Sequence, residues 1–229
     1  MDCTPSQHEA ARSEAFGYIC RACSRCCQHK VIQVNPYEIA RLARRNGQTT
    51  AEFRAKCTED GAGSILLRNE SDTCIFLGPE GCSVHPDRPL VCRLYPLGRR
   101  VLADGTERWL HIAPHPQSEG EYTKKGTIAD FIAKQGAIPY MRAADEYSDW
   151  VREAYALIEA EGEAASGTGD GTPKDLLDMD TAITMHCAES GTDEPSDIED
   201  RKRLHLEILY RQLNRLKGGE DDYEKADQR

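Results

Sequence analysis

The chain has 229 residues, 39% hydrophobic and 30% charged, enough apolar side chain for a globular protein of one domain with an appendage or two small domains. Its formal net charge of -10 argues against broad nucleic-acid binding, which needs a basic excess or face; the densest basic cluster, Arg41, Arg44 and Arg45, reads as a solvated helix face. No window is apolar long enough to cross a bilayer, and MDCTPSQHEA has neither the basic nor the apolar region of an export signal, so no membrane partner is expected and a cytoplasmic location is.

The first chemical feature in chain order is CRACSRCC, which places Cys20, Cys23, Cys26 and Cys27 within eight residues. Cytosolic thiols are kept reduced, so ten cysteines point to metal or redox chemistry instead of a disulfide framework. VIQV (31 to 34) reads as a short strand. Asn35 as N-cap and Pro36 at the first helical position open a helix with Ile39, Leu42 and Ala43 at helical spacing, closed by Asn46-Gly47. Thr49 and Glu52 have capping-box spacing for a second helix running to about Cys57, with Phe53 as its apolar contact. SILLR (64 to 68) and CIFL (74 to 77) read as strands around a polar turn. Gly78-Pro79 and Glu80-Gly81 then turn the chain before Cys82, so a second group, Cys74, Cys82 and Cys92, also lies among turns. Cys3, Cys57 and Cys187 stand alone, as small hydrophobes or inert thiols.

RRVLADGTERWLHIA reads as a hairpin with Asp104-Gly105 at its tip, and a helix follows from about Thr127 to Gln135. After Pro139 a long amphipathic helix carries Tyr140, Ala144, Tyr147, Val151, Ala154 and Ile158 as one stripe. Residues 161–173 are rich in glycine and small polar residues and read as a flexible linker. Beyond it, Pro195 to Lys217 carries Leu206, Leu209, Leu213 and Leu216 at three-four-three spacing, a stripe for packing on the first domain or for a homodimer or partner helix. The expected organisation is 1–160 as a cysteine-cluster domain with hairpin and long helix, 161–173 as linker, 174–217 as a C-terminal helical segment and 218–229 as a disordered tail.

Thiolate is a soft, strong ligand for zinc or iron, and CxxC spacing lets two sulfurs face one metal while backbone amides hydrogen-bond to them. Cys20-x2-Cys23-x2-Cys26 suits three corners of a cluster, with a remote fourth sulfur to complete it. Seven residues separate Cys74 from Cys82 and nine separate Cys82 from Cys92, unlike the paired knuckles of structural zinc sites, which leans the reading towards iron–sulfur. Adjacent Cys26 and Cys27 are expected to point apart, leaving one of them over. The sequence holds no GxGxxG after a strand, no Walker-type loop and no G-x-S-x-G elbow, so nucleotide-dependent and hydrolase mechanisms have no support.

CRACSRCC, VNPYEIARLARRNGQTTAEF and CIFLGPEGCSVHPDRPLVCRLYP, over roughly residues 16–98, resemble the YkgJ-type cysteine-cluster family, described as a zinc- or iron-chelating domain with a CxxCxxCC signature. The segment is also similar to the metal-binding part of flagellin lysine N-methylases. The resemblance implies a metal-binding module whose ligands are drawn from Cys20, Cys23, Cys26, Cys27, Cys74, Cys82 and Cys92. It brings Arg88 and Arg93 into view as donors to thiolates that offset their charge. His85 and His115 stand where relatives carry an aromatic residue or a further cysteine, and are candidate substitute ligands.

The fold class expected is α+β: a small cysteine-cluster domain stapled by metal, with short strands and helices, then a hairpin, a long helix and a linked C-terminal helix. The function expected is metal binding, with an iron–sulfur cluster ([4Fe–4S] favoured) or a zinc or iron ion as cofactor. An iron–sulfur enzyme, redox or methyl-transferring, and a zinc-stapled interaction scaffold are the alternatives.

Overall fold

The computed structural model of the chain describes residues 9–59, 64–102, 104–161 and 176–218. Among these residues are seven α-helices and seven short strands, and every strand pairing is antiparallel, an α+β architecture as the sequence implied. The chain divides into two compact units interleaved in sequence, Met1–Val34 with Ile65–Met141, and Asn35–Ser64 with Arg142–Arg229. The sequence had put its boundary at 161–173. That segment and the tail lie, but for their first residues, outside the described residues.

In the first unit, β1 (Glu9–Ala10), β6 (Glu107–His111) and β5 (Leu97–Val101) form one sheet in the order β1-β6-β5. The β5–β6 hairpin has the expected tip: Asp104 Oδ1 accepts from the Thr106 amide at 2.8 Å, and Gly105 takes φ +79°. A second sheet pairs β2 (Ala15–Ile19) with β7 (Glu121–Thr127), some hundred residues later, with a register shift between Ala15 and Gly17. There a side chain is excluded, since a Cβ on Gly17 would lie 2.3 Å from Thr123 Oγ1. Between these sheets and α4 (Ile128–Lys134) lies an apolar core around Trp109, Phe16, Leu94, Leu97, Ile128 and Ile132. Thr127 and Asp130 close a capping box on α4, which fixes where β7 ends.

The cysteine-bearing part has little regular structure. VIQV, SILLR and CIFL, expected as strands, make only isolated bridges, Gln33↔Ile65 and Arg68↔Cys74, before the small hairpin of β3 (Leu77–Gly78) and β4 (Gly81–Cys82). The chain bends too often for a ladder, with left-handed turns at His29 and Asp72. A short helix, α3 (Leu90–Leu94), follows.

The second unit is helical: α1 (Pro36–Arg45), α2 (Thr50–Cys57), α5 (Ile138–Glu161) from Arg142 onward, α6 (Met179–Ser190) and α7 (Ile198–Leu216). Asn35 with Glu38, and Thr49 with Glu52, close the expected capping boxes of α1 and α2. Thr50 ties α2 to α6: its amide donates to Asp180 Oδ2 at 2.9 Å and its hydroxyl to Asp178 Oδ1 at 2.7 Å. On α7, Leu209 and Leu213 of the leucine stripe are buried inside this unit together with His205 and Ile208, whereas Leu216 is 67% exposed. On α5 the buried side chains include Tyr140, Ala143, Tyr147 and Trp150, a stripe rotated slightly from the expected one.

Candidate metal centre

The first cysteine segment is shaped by backbone strain. Of the four non-glycine residues with positive φ among the described residues, Ala22 and Ser24 lie inside CRACSRCC, and His29 and Asp72 lie in the strands of chain that flank it. Such conformations cost on the order of 1–3 kcal/mol each and gather at functional sites. Ala22 turns its amide onto Cys20 Sγ at 3.4 Å, the amide-to-sulfur contact a CxxC turn provides. Ser24 then opens a 3-10 turn over Arg25–Cys27, closed by the Cys27 amide on the Ser24 carbonyl at 3.0 Å.

Cys26 and Cys27, expected to point apart, interact through their thiols at this tight turn. The Cys27 thiol donates to the Cys26 sulfur and holds the Cys26 pKa down to about 6, against burial and with help from Lys30 and Arg88. Cys27 is driven upward by the same bond, by burial and by the charges of Cys26, Cys92 and Cys74.

The second segment is stitched to the first through main chain. The Cys74 amide donates to the Cys27 carbonyl at 3.0 Å, the His29 amide to the Asp72 carbonyl at 2.9 Å, and Gln28 bridges Thr73. The β3–β4 hairpin sets Cys82 opposite Leu77, whose own amide donates to the Cys74 carbonyl at 3.0 Å. Burial first, then the charges of Cys82 and Cys26, raise the Cys74 pKa against a bond from the Phe76 amide. Cys92 comes from α3. Cys26, Cys27, Cys74, Cys82 and Cys92 are therefore a patch of half-buried, reduced thiols linked by electrostatic interactions, Cys27 with Cys26, Cys92 and Cys74, and Cys74 with Cys82 and Cys26.

Cys23 lies to one side. The Glu119 and Arg25 amides and the Ser118 hydroxyl donate to its sulfur and lower its pKa. Cys20 is exposed. Among the described residues, no three His, Cys, Asp or Glu side chains are drawn into a group that would hold an ion as they stand. The donor chemistry nonetheless fits a soft thiophilic cation, because reduced sulfurs from three stretches of chain meet beside positive charge.

That charge comes from Lys30 and Arg88. Arg88 donates to the His85 carbonyl at 2.8 Å and to Gln135 Oε1, and stands beside Cys92 and Cys82. Lys30 lies 3.6 Å over the Tyr95 ring and faces Cys26, Cys92 and Cys27. Neither has a carboxylate partner among the described residues. Arg93 is differently engaged: only 7% exposed, it donates to the Gln135 carbonyl at 2.8 Å, the Pro86 carbonyl and the Tyr140 hydroxyl at 2.7 Å, with its guanidinium 3.9 Å from the Tyr140 ring. Its bonds tie the approach to α3 to the chain before α5.

The two histidines expected as substitute ligands have other neighbours. His85 contacts Arg88, and burial with the Arg88 and Arg93 charges lowers its pKa. His115 donates its amide to Tyr95 Oη at 3.0 Å, accepts from the Gln117 amide on Nδ1, and stacks on His29 at 6.3 Å. Lys30, Tyr95, Ser118 and Glu119 escaped the reading of the sequence. For the first two a signal was there, since each lies three residues past a cysteine, Cys27 and Cys92.

Comparison with known proteins agrees with the chemistry. Residues 19–116, which hold both cysteine groups, match the CxxCxxCC family model, described as "Putative zinc- or iron-chelating domain". No curated protein and no solved structure matches the chain.

Proposed function

We propose that the CxxCxxCC domain of this chain holds a thiolate-ligated metal centre, an iron–sulfur cluster in first place and a zinc or iron ion in second. The observation that carries this reading is the convergence of Cys26, Cys27, Cys74, Cys82 and Cys92 beside two cations that no carboxylate neutralises among the described residues. These five are the proposed primary ligands. A four-ligand shell is filled from within these five, so Cys20 and Cys23, on the adjoining turn, are proposed for a second metal together with the sulfur left over. His85 and His115 are not needed in this set.

When bound, a cluster supplies one-electron chemistry, and zinc supplies a staple. The residues present do the rest. Half-burial of the sulfurs limits water, Arg88 offsets thiolate charge beside Cys92 and Cys82, and Arg93 anchors the loop that carries them. The cluster is placed ahead of zinc on the spacing of the second group, where seven residues between Cys74 and Cys82 and nine between Cys82 and Cys92 depart from the paired knuckles of structural zinc sites. The zinc reading is favoured by the scarcity of regular structure around the cysteines, where a metal would replace missing ladder bonds. Self-association through α7 is left with Leu216 and part of Leu206, because Leu209 and Leu213 are buried within their own unit.

Iron, sulfide and zinc assayed per chain after anaerobic purification test this proposal. Matched iron and sulfide with broad absorption near ~400 nm that bleaches with dithionite supports the cluster. Stoichiometric zinc in colourless protein rejects the cluster and keeps the thiolate site. Protein with no metal rejects both.

A further inference from the structure

Lys30 and Tyr95 reach the thiol patch from different cysteine segments, and the ammonium lies 3.6 Å from the centre of the tyrosine ring. An aromatic face attracts a cation through its quadrupole and leaves the charge whole. Several other cations of this chain are neutralised: Lys202 meets Glu146 at 2.7 Å, Arg201 meets Asp180 at 2.7 Å, and Lys217 meets Glu153 at 3.0 Å. Lys30 has no such partner among the described residues.

The ring is itself fixed. Tyr95 Oη accepts the His115 amide at 3.0 Å, and its ring stands nearly perpendicular to that of Tyr18 with centroids 6.3 Å apart. A half-buried ammonium is costly unless negative charge faces it. The negative charges that act on Lys30 through space, against its burial, are those of the Cys26, Cys92 and Cys27 sulfurs.

We propose that Lys30 sets the charge of the metal site: Tyr95 positions its ammonium against the thiolates, so that one unneutralised positive charge supports metal affinity. The inference rests on the reading that these thiols hold a metal. Four thiolates around a divalent cation carry a net charge of about -2, and a fixed ammonium brings the assembly to about -1, lowering the electrostatic cost of closing it. Lys30 touches no reacting atom; it acts through the sulfurs.

The test titrates zinc ion into the full-length apo-protein against a chromophoric chelator. The variants are Lys30→Met, which keeps the apolar stem, Lys30→Arg, Tyr95→Leu and the Lys30→Met/Tyr95→Leu pair, each checked for native circular dichroism. Lys30→Met is expected to weaken zinc binding about tenfold or more, as loss of outer partners of a metal site does. Lys30→Arg should recover most of that loss, and the pair should be no weaker than Lys30→Met alone, because the ring acts through the ammonium. Wild-type affinity in folded Lys30→Met, or an Arg variant as weak as the Met variant, overturns the role of Lys30. A wild-type chain that takes no zinc when titrated and carries no iron after anaerobic purification overturns the thiol-metal reading beneath it, and the inference with it.

Discussion

The amide of Cys74 donates to the carbonyl of Cys27 across 3.0 Å, so the two cysteine segments are joined by main chain, without recourse to a sulfur. Around that bond lie isolated bridges and short turns, with no extended ladder. Metal removal should therefore loosen 20–34 and 65–92 while the helical unit, whose core contains Leu42, Ile183, Leu209 and Leu213, persists. Hydrogen exchange before and after chelation measures this. Protection should fall in the cysteine segments and hold in α6 and α7; equal loss in both would contradict the prediction.

Arg88 and Arg93 are five residues apart, yet the structure separates their work. Removing the Arg93 side chain takes the guanidinium donor from the Pro86 and Gln135 carbonyls and from the Tyr140 hydroxyl, so Arg93→Met should cost about 2–4 kcal/mol of stability. Arg88→Met should cost less stability and weaken metal binding, since Arg88 faces Cys92 and Cys82. Urea melts and chelator competition on both variants check the division. Arg93→Met with wild-type stability would reject the anchoring role.

His205 makes the stability of the helical unit dependent on pH. It is completely buried, with Nε2 2.7 Å from the Leu176 carbonyl and Nδ1 2.9 Å from the Tyr147 hydroxyl. A carbonyl only accepts, so Nε2 bears the proton and Nδ1 accepts from Tyr147: the neutral ring is satisfied on both sides. Burial pushes its pKa down to about 4, against the Leu176 carbonyl and the Asp178 and Asp180 charges. With the folded value below the unfolded one, the contribution is complete above about 6.5 and is lost as pH falls towards 4, about 2 kcal/mol of it by pH 5. Urea melts at pH 7 and pH 5 should show this drop, and His205→Gln should flatten it. The same drop in the variant would discard His205 as its source.

Caps and turns were legible because their chemistry is local. Asn35 with Glu38, Thr49 with Glu52, and Asp104-Gly105 announce α1, α2 and the β5–β6 hairpin within a few residues each. The β2–β7 pairing was not legible, since its strands lie about a hundred residues apart and Gly17 yields its meaning only when Thr123 approaches. The leucine stripe of α7 was visible, but not that Leu209 and Leu213 face the chain's own helices. The seven cysteines stood out by spacing. Which of them share a patch depends on the left-handed turns at Ala22 and Ser24 and on the 3-10 turn that brings Cys26 and Cys27 together, and residue identity alone does not specify these. Likewise, Arg93 resembles Arg88 in sequence and differs from it in reaching the main-chain carbonyl of Gln135 and the Tyr140 hydroxyl, more than forty residues on.

The most direct test of the account is bound metal per chain, iron and zinc together, in anaerobically purified wild-type protein and three variants. Cys27→Ser and Cys74→Ser remove sulfurs from the patch, whereas Cys187→Ser removes a buried thiol on α6, in the other unit. The account predicts that the first two fall about tenfold or more in retained metal while the third keeps the wild-type content. Full metal in both Cys27→Ser and Cys74→Ser, or loss confined to Cys187→Ser, would contradict it.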